Sequence, residues 1–160
     1  TTASAMRIFA PFILIITLCL GACSPGHNDY SCYSTVADEG WAYGDTLTFA
    51  PDSMLNDSVM TAAIKIAVRH DNNYPYSNLW VEVSHSSPDG VSRRDTVNIP
   101  LADVYGRWLG NGFGADYQKE AVVAENAAVD MRRPVTVRHI MRVDTLHGVE
   151  QVGVSIVPVR

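Results

Sequence analysis

Five histidines, three cysteines and seventeen acidic side chains are the groups in this chain with chemistry to offer. The histidines stand at His27, His70, His85, His139 and His147. No two have the spacing of a helical metal pair, and no cysteine or carboxylate cluster accompanies them. A Ser-His-Asp relay on a nucleophile elbow needs G-x-S-x-G, which the chain lacks. No catalytic residue, metal or cofactor is therefore expected. Asp89, Asp95 and Asp103 are of calcium-binding type, but no EF-hand spacing surrounds them, so turn and strand-end roles suit them better. Gly106 to Gly114 is glycine-rich. It lacks the preceding buried strand, the following helix and the Lys-Ser/Thr that phosphate cradles use. Trp108 and Phe113, set between those glycines, read as loop aromatics that pack on the domain or contact a partner or glycan. Tyr74, Tyr76 and Trp80, around Pro75, carry the same two readings: a rigid turn, or a stacking surface if they share one exposed face. His139 falls on an apolar strand face, the place of a hydrogen-bonded core or interface histidine.

The cysteines are more informative. Arg7 is the only charge before Asp29, and the apolar run Ile8 to Leu20 follows it. Thirteen residues fall short of the roughly 20 that span a bilayer, so residues 1–22, including 1–5 upstream of Met6, read as a secretory signal peptide. The run ends Leu20-Gly21-Ala22-Cys23, which resembles the box at which bacterial lipoproteins are cut and acylated. Cys23 is the expected lipidation site. Two or more acyl chains hold a protein firmly on a membrane without a spanning segment, at about 0.8 kcal/mol per buried CH₂. Cys19 leaves with the signal, so Cys32 remains as a thiol with no partner in its own chain: a small buried or tether residue, or one half of an intermolecular disulfide.

Residues 23–35 read as the lipidated Cys and a flexible polar tether, and 36–160 as one domain. From Tyr33 onward the apolar period is 2. Ile64, Ile66 and Val68 share a face within Ala62 to Arg69. Leu79, Val81 and Val83 share one within Asn78 to His85. Val135, Val137, His139, Met141 and Val143 share one within Val135 to Asp144. Val152, Val154 and Ile156 close the chain. Such alternation, rich in β-branched residues, marks half-buried strands. Asp45 to Phe49, Thr96 to Leu101 and Gln118 to Ala124 are weaker strand candidates, and Ala121 to Met131 reads equally as short helix or strand. Pro88-Asp89-Gly90 between two runs is a hairpin signal. The expected fold is all-β, an antiparallel β-sandwich, with the jelly roll as one form it can take.

Composition narrows the function. Hydrophobic residues are 47% and charged residues 18%, which excludes a wholly disordered chain. Twelve basic against seventeen acidic residues exclude a sequence-independent nucleic-acid binder. An ordered set then points further: Tyr74-Pro75-Tyr76-Ser77-Asn78-Leu79, Pro88-Asp89-Gly90, Gly106-Arg107-Trp108-Leu109-Gly110-Asn111-Gly112-Phe113-Gly114, His139-Ile140-Met141-Arg142 and Leu146-His147-Gly148-Val149. This set resembles the gliding-motility lipoprotein GldH family of Bacteroidota. The resemblance implies a membrane-anchored envelope lipoprotein with a structural or interaction role, partnered by gliding or secretion apparatus proteins. It implies no catalytic residues. Some surface-exported lipoproteins of that phylum carry acids directly after the Cys, whereas here only Asp29 is acidic and sits late. The expected location is the outer membrane, facing the periplasm. The rival reading is a carbohydrate-binding sandwich module of the envelope that stacks sugars on its aromatics.

Overall fold

The computed structural model describes residues 29–51 and 59–159. Cys23 and the signal segment lie outside the described residues, as does the side chain of Phe113. Among the described residues eleven strands run in order: β1 (Tyr30–Thr35), β2 (Trp41–Ala42), β3 (Leu47–Phe49), β4 (Val59–Asp71), β5 (Asn78–Ser86), β6 (Ser92–Pro100), β7 (Asn111–Phe113), β8 (Asp116–Asp130), β9 (Val135–His139), β10 (Thr145–Leu146) and β11 (Val149–Pro158). No α-helix occurs among the described residues.

The alternation predicted from sequence sets the two layers. On β4 the residues Ala62, Ile64, Ile66, Val68 and His70 face inward and are fully buried. Leu79, Val81 and Val83 of β5 and Val152, Val154 and Ile156 of β11 join them in one core. One sheet has the order β1-β11-β4-β8-β7, the other β3-β9-β5-β6, and β2 pairs with β10 as a two-stranded ribbon. All pairings are antiparallel. Setting aside the short β2, β7 and β10, the eight remaining strands pair first with last, second with seventh, third with sixth and fourth with fifth. That is one long hairpin ribbon rolled into two facing sheets, the jelly-roll arrangement of the sandwich. The turn of the ribbon is Ser87 to Val91. Asp89 accepts hydrogen bonds there from Ser87 Oγ at 2.7 Å and Val91 N at 3.1 Å.

Two expectations change and one open reading is decided. The tether assigned to 23–35 contains β1, which pairs with β11 from Tyr30↔Ile156 to Thr35↔Gln151. Only Tyr30 among its residues is buried, so the segment shows almost no apolar periodicity. Ala121 to Asp130, which read equally as helix or strand, is strand, and Met131 begins the turn. Two register shifts against β4 obscure its alternation: between Ala62 and Lys65, β8 travels from Ala127 to Val122, two residues more than its partner. The run Val135 to Asp144 stops being strand at His139. The Trp80 N–H donates to the Met141 thioether at 3.3 Å, and the chain turns away at Val143 N to Met141 O.

Two glycines are fixed by close approach. Tyr33 lies over Gly153, where any Cβ would stand 2.6 Å from the ring, and the Tyr33 hydroxyl accepts from Gln118 Nε2 at 3.1 Å, across the sheet. Gly148 opens β11 at φ +85°, and a Cβ there would meet the Tyr74 backbone at 2.7 Å. Neither the left-handed backbone nor the neighbouring main chain can yield cheaply. Gly148→Ala is expected to cost about 2 kcal/mol or more and to lower the melting temperature by roughly 5–10 °C, read by thermal circular dichroism. An unchanged melting temperature would contradict this packing.

Candidate functional site

The sandwich has two distinct ends. Tyr30, where the chain arrives from the N-terminal side, lies level with Ile156 and Ile64. Seven residues further along β4, about 23 Å away, Asp71 marks the other end. The 72–77 and 101–110 loops meet there, since Leu101 and Ala102 both donate to Ser77 O.

The five aromatics singled out in the sequence separate at this distal end. Tyr74 is 3% exposed and is no contact residue. Its hydroxyl donates to Asn78 O at 2.8 Å, and burial holds its phenol well above the usual range, with Tyr76 adding to the shift. Trp108 turns inward. It packs on His70 with ring centroids 4.6 Å apart and donates from Nε1 to Asn72 Oδ1 at 3.0 Å. His70 is fully buried among Tyr74, Trp108 and Tyr117, its Nδ1 donating to Asp71 O at 3.0 Å. Phe113 ends β7, and its side chain is outside the described residues. The aromatics therefore form no single stacking strip.

Tyr76 and Trp80 do come together. They are 36% and 40% exposed and line a cleft of about 440 Å³ with Ile140, Met141, Arg142 and Val143. The cleft exists because β9 ends early. The Ile140 N–H still donates to Trp80 O at 3.0 Å, and the following turn then walls off one side of the indole. Beneath it, His139 is fully buried, Nε2 donating to Trp41 O at 3.0 Å and the ring edge-on to Trp41. Burial pushes its pKa down, so the imidazole is a neutral supporting piece, not a proton donor to ligand.

A second feature is the Asp103 to Arg107 turn, whose residues the sequence did not single out as contacts. Asp103 Oδ1 accepts from Tyr105 N at 2.8 Å and Arg107 N at 3.0 Å, and Oδ2 accepts from Arg107 Nε at 2.8 Å. The Arg107 guanidinium also sits over the Tyr105 ring, 5.4 Å from its centroid. These contacts hold Asp103 below the ordinary carboxylate range. The braced turn displays Val104 and Tyr105, 92% and 81% exposed. The only sequence signal was turn chemistry, Asp first and Gly fourth.

Beside the same end, a polar cleft of about 540 Å³ is lined by Thr35, Asp38, Arg69, Asp71, His147 and Glu150, among others. Glu150 is pushed above its ordinary value by burial, then by Asp116 and Asp71, with Arg69 opposing. Among the described residues no three His, Cys, Asp or Glu are placed to share a metal ion.

Comparison with known proteins fits this architecture. The GldH lipoprotein family model matches residues 28–156. The chain belongs to the GldH lipoprotein family. It is therefore an envelope-associated lipoprotein of a family linked to gliding motility, held to the membrane by lipid. It is 27% identical over 157 residues to the gliding motility lipoprotein GldH homolog of Christiangramia forsetii, covering 92% of this chain and 94% of the relative. It is 26% identical over 158 residues to gliding motility lipoprotein GldH of Flavobacterium johnsoniae, covering 94% and 98%. Among solved structures, the VP2 subviral particle of infectious bursal disease virus aligns at TM-score 0.16 and 13% identity, over 83% of this chain and 40% of that one. That likeness carries no argument.

The Glu150 environment has a signed consequence. A carboxyl whose native pKa is raised contributes its stability below the unfolded value of 4.5 and loses it as pH rises through the native value. Glu150→Gln cannot ionise. It is expected to be more stable than the native chain in urea melts near pH 7, the advantage vanishing below about pH 4.5. Equal stability at both pH values would contradict the crowding of these carboxyls.

Proposed function

We propose that this protein is a non-catalytic envelope lipoprotein that supports gliding motility, or the secretion machinery associated with it, by docking an envelope protein on its distal end. The observation that carries this reading is placement. The Tyr76–Trp80 cleft and the Val104–Tyr105 tip both lie at the end of the sandwich opposite Tyr30. Acylated Cys23 is the anchor, on the periplasmic face of the outer membrane. Seven residues from Cys23 to Tyr30 reach at most about 25 Å, so the proximal end stays close to the lipid and the distal end lies furthest from the anchor point.

Chemistry favours a protein over a glycan as the occupant. Sugar readers pair aromatic faces with several polar groups. Here Ile140, Met141 and Val143 surround the indole, and Arg142 is the one charged wall. An exposed Trp and Tyr beside a Met and an Arg is the composition of interface anchors. A braced turn loses little freedom on binding, which suits an apolar tip that enters a partner pocket.

Two sets of substitutions in the full chain test this in the source bacterium. Cys23→Ala is expected to move the protein from the membrane to the soluble fraction. Tyr76→Ala with Trp80→Ala is expected to leave it folded, abundant and membrane-bound, yet to reproduce the deletion phenotype. Normal function of the double variant, or loss of function explained by loss of the protein, would remove the support for distal docking.

A further inference from the structure

The four outer edges of the two sheets are not alike. β3 is three residues and offers little to pair with. The three residues of β7 cover only Asp116 to Gln118, so the rest of that edge is β8 itself, which carries Lys119, Glu120 and Glu125. β6 is nine residues long but carries Arg93, Arg94 and Asp95 and ends at Pro100. Charge and proline are the devices by which edge strands avoid pairing. β1 has neither. Its six residues, Tyr30-Ser31-Cys32-Tyr33-Ser34-Thr35, include no charge, proline or glycine. Ser31, Cys32, Tyr33 and Thr35 are exposed.

The direction of its backbone groups follows from one bond. Val36 N–H donates to Glu150 O at 2.8 Å, in line with the β1–β11 register. In an antiparallel pair such positions alternate, so Tyr30, Cys32 and Ser34 bond to β11. The N–H and C=O groups of Ser31, Tyr33 and Thr35 point to the open edge. The Cys32 thiol leans on one of them, donating to Tyr33 O at 3.8 Å. The Tyr33 ring is directed back over Gly153 towards Gln118, away from the edge.

We propose that β1 pairs antiparallel with β1 of a second copy, joining the two five-stranded sheets into one. The edge set is symmetric in chemistry, hydroxyl, tyrosine, hydroxyl, and uncharged, so two copies meet with no like-charge repulsion. One register uses every free group. A two-fold axis at Tyr33 sets Tyr33 against Tyr33 of the second copy and Ser31 against its Thr35, exchanging all the edge-facing N–H and C=O groups. The same register sets Cys32 opposite Ser34 of the second copy in a non-hydrogen-bonded pair, with Cα atoms about 4.5 Å apart. The two copies of Cys32 then lie diagonally, about 7–8 Å apart, at the limit for a disulfide.

The register gives the test. Two differently tagged full-length copies are co-expressed, one native and one carrying Cys32→Ser with Ser34→Cys, and membranes are treated with a mild oxidant. The expected product is a disulfide-linked heterodimer. The native chain alone is expected to give at least several-fold less homodimer. The product is expected to vanish when both copies carry Cys32→Ser and lack the second substitution. Thr35→Pro in both copies removes an edge-facing N–H without touching a β11 bond, and is expected to abolish the cross-link while leaving the melting temperature nearly unchanged. Absence of the heterodimer, equal yield with Thr35→Pro, or equal yield when the second thiol is moved to Ser92 on β6 would overturn the pairing.

Discussion

One row of side chains along β4 constrains the rest of the molecule. Ala62, Ile64, Ile66, Val68 and His70 have no exposure, and β4 pairs along its length with β11 on one side and β8 on the other. Burying Ile64, Ile66 and Val68 stabilises the fold by about 1.5–3 kcal/mol each. That holds only if the facing sheet supplies Leu79, Val81 and Val83 to the same core. A one-residue slip of β4 would turn Lys65 and Arg69 into that layer. The ribbon therefore has one acceptable register near its centre, and the pairing of the outer strands follows from it.

The distal surface is a consequence of how this ribbon ends. His70 is the last inward residue of β4, and its buried ring gathers Tyr74, Trp108 and Tyr117 around it. Those contacts tie two loops to the core. What the loops then leave outside, Tyr76 with Trp80 on one side and Val104 with Tyr105 on the other, stands on fixed supports. Pre-organised apolar groups of this kind reduce the entropy lost on docking. The polar face beside Glu82 is different in kind: Arg138 pairs with Glu82 at 3.0 Å and closes that surface on itself.

Much of this was readable in the residues, for identifiable reasons. β4, β5 and β11 announce themselves because one face meets core and the other water, so apolar residues recur at every second position. β8 does not, because two bulges shift its phase. β1 does not, because an edge strand takes its hydrogen bonds from β11 and needs only Tyr30 in the core. The aromatics were identifiable by type and not by fate. Tyr74 and Tyr76 stand two residues apart on one short turn, and only the presence of His70 beneath Tyr74 decides which is buried. Val104 and Tyr105 carry no sequence sign of exposure, since an apolar pair inside a turn reads the same whether it packs or projects.

Site-specific photo-cross-linking on native envelopes tests the central claim, that the distal end is the working surface, most directly. A photoreactive residue is placed in the full-length chain at Trp80, at Tyr105 or at Lys65, which lies on the outer face of the five-stranded sheet. The expected result is the same discrete protein adduct from Trp80 and Tyr105 and none from Lys65. Polysaccharide adducts at Trp80, or a protein adduct from Lys65 alone, would contradict distal protein docking.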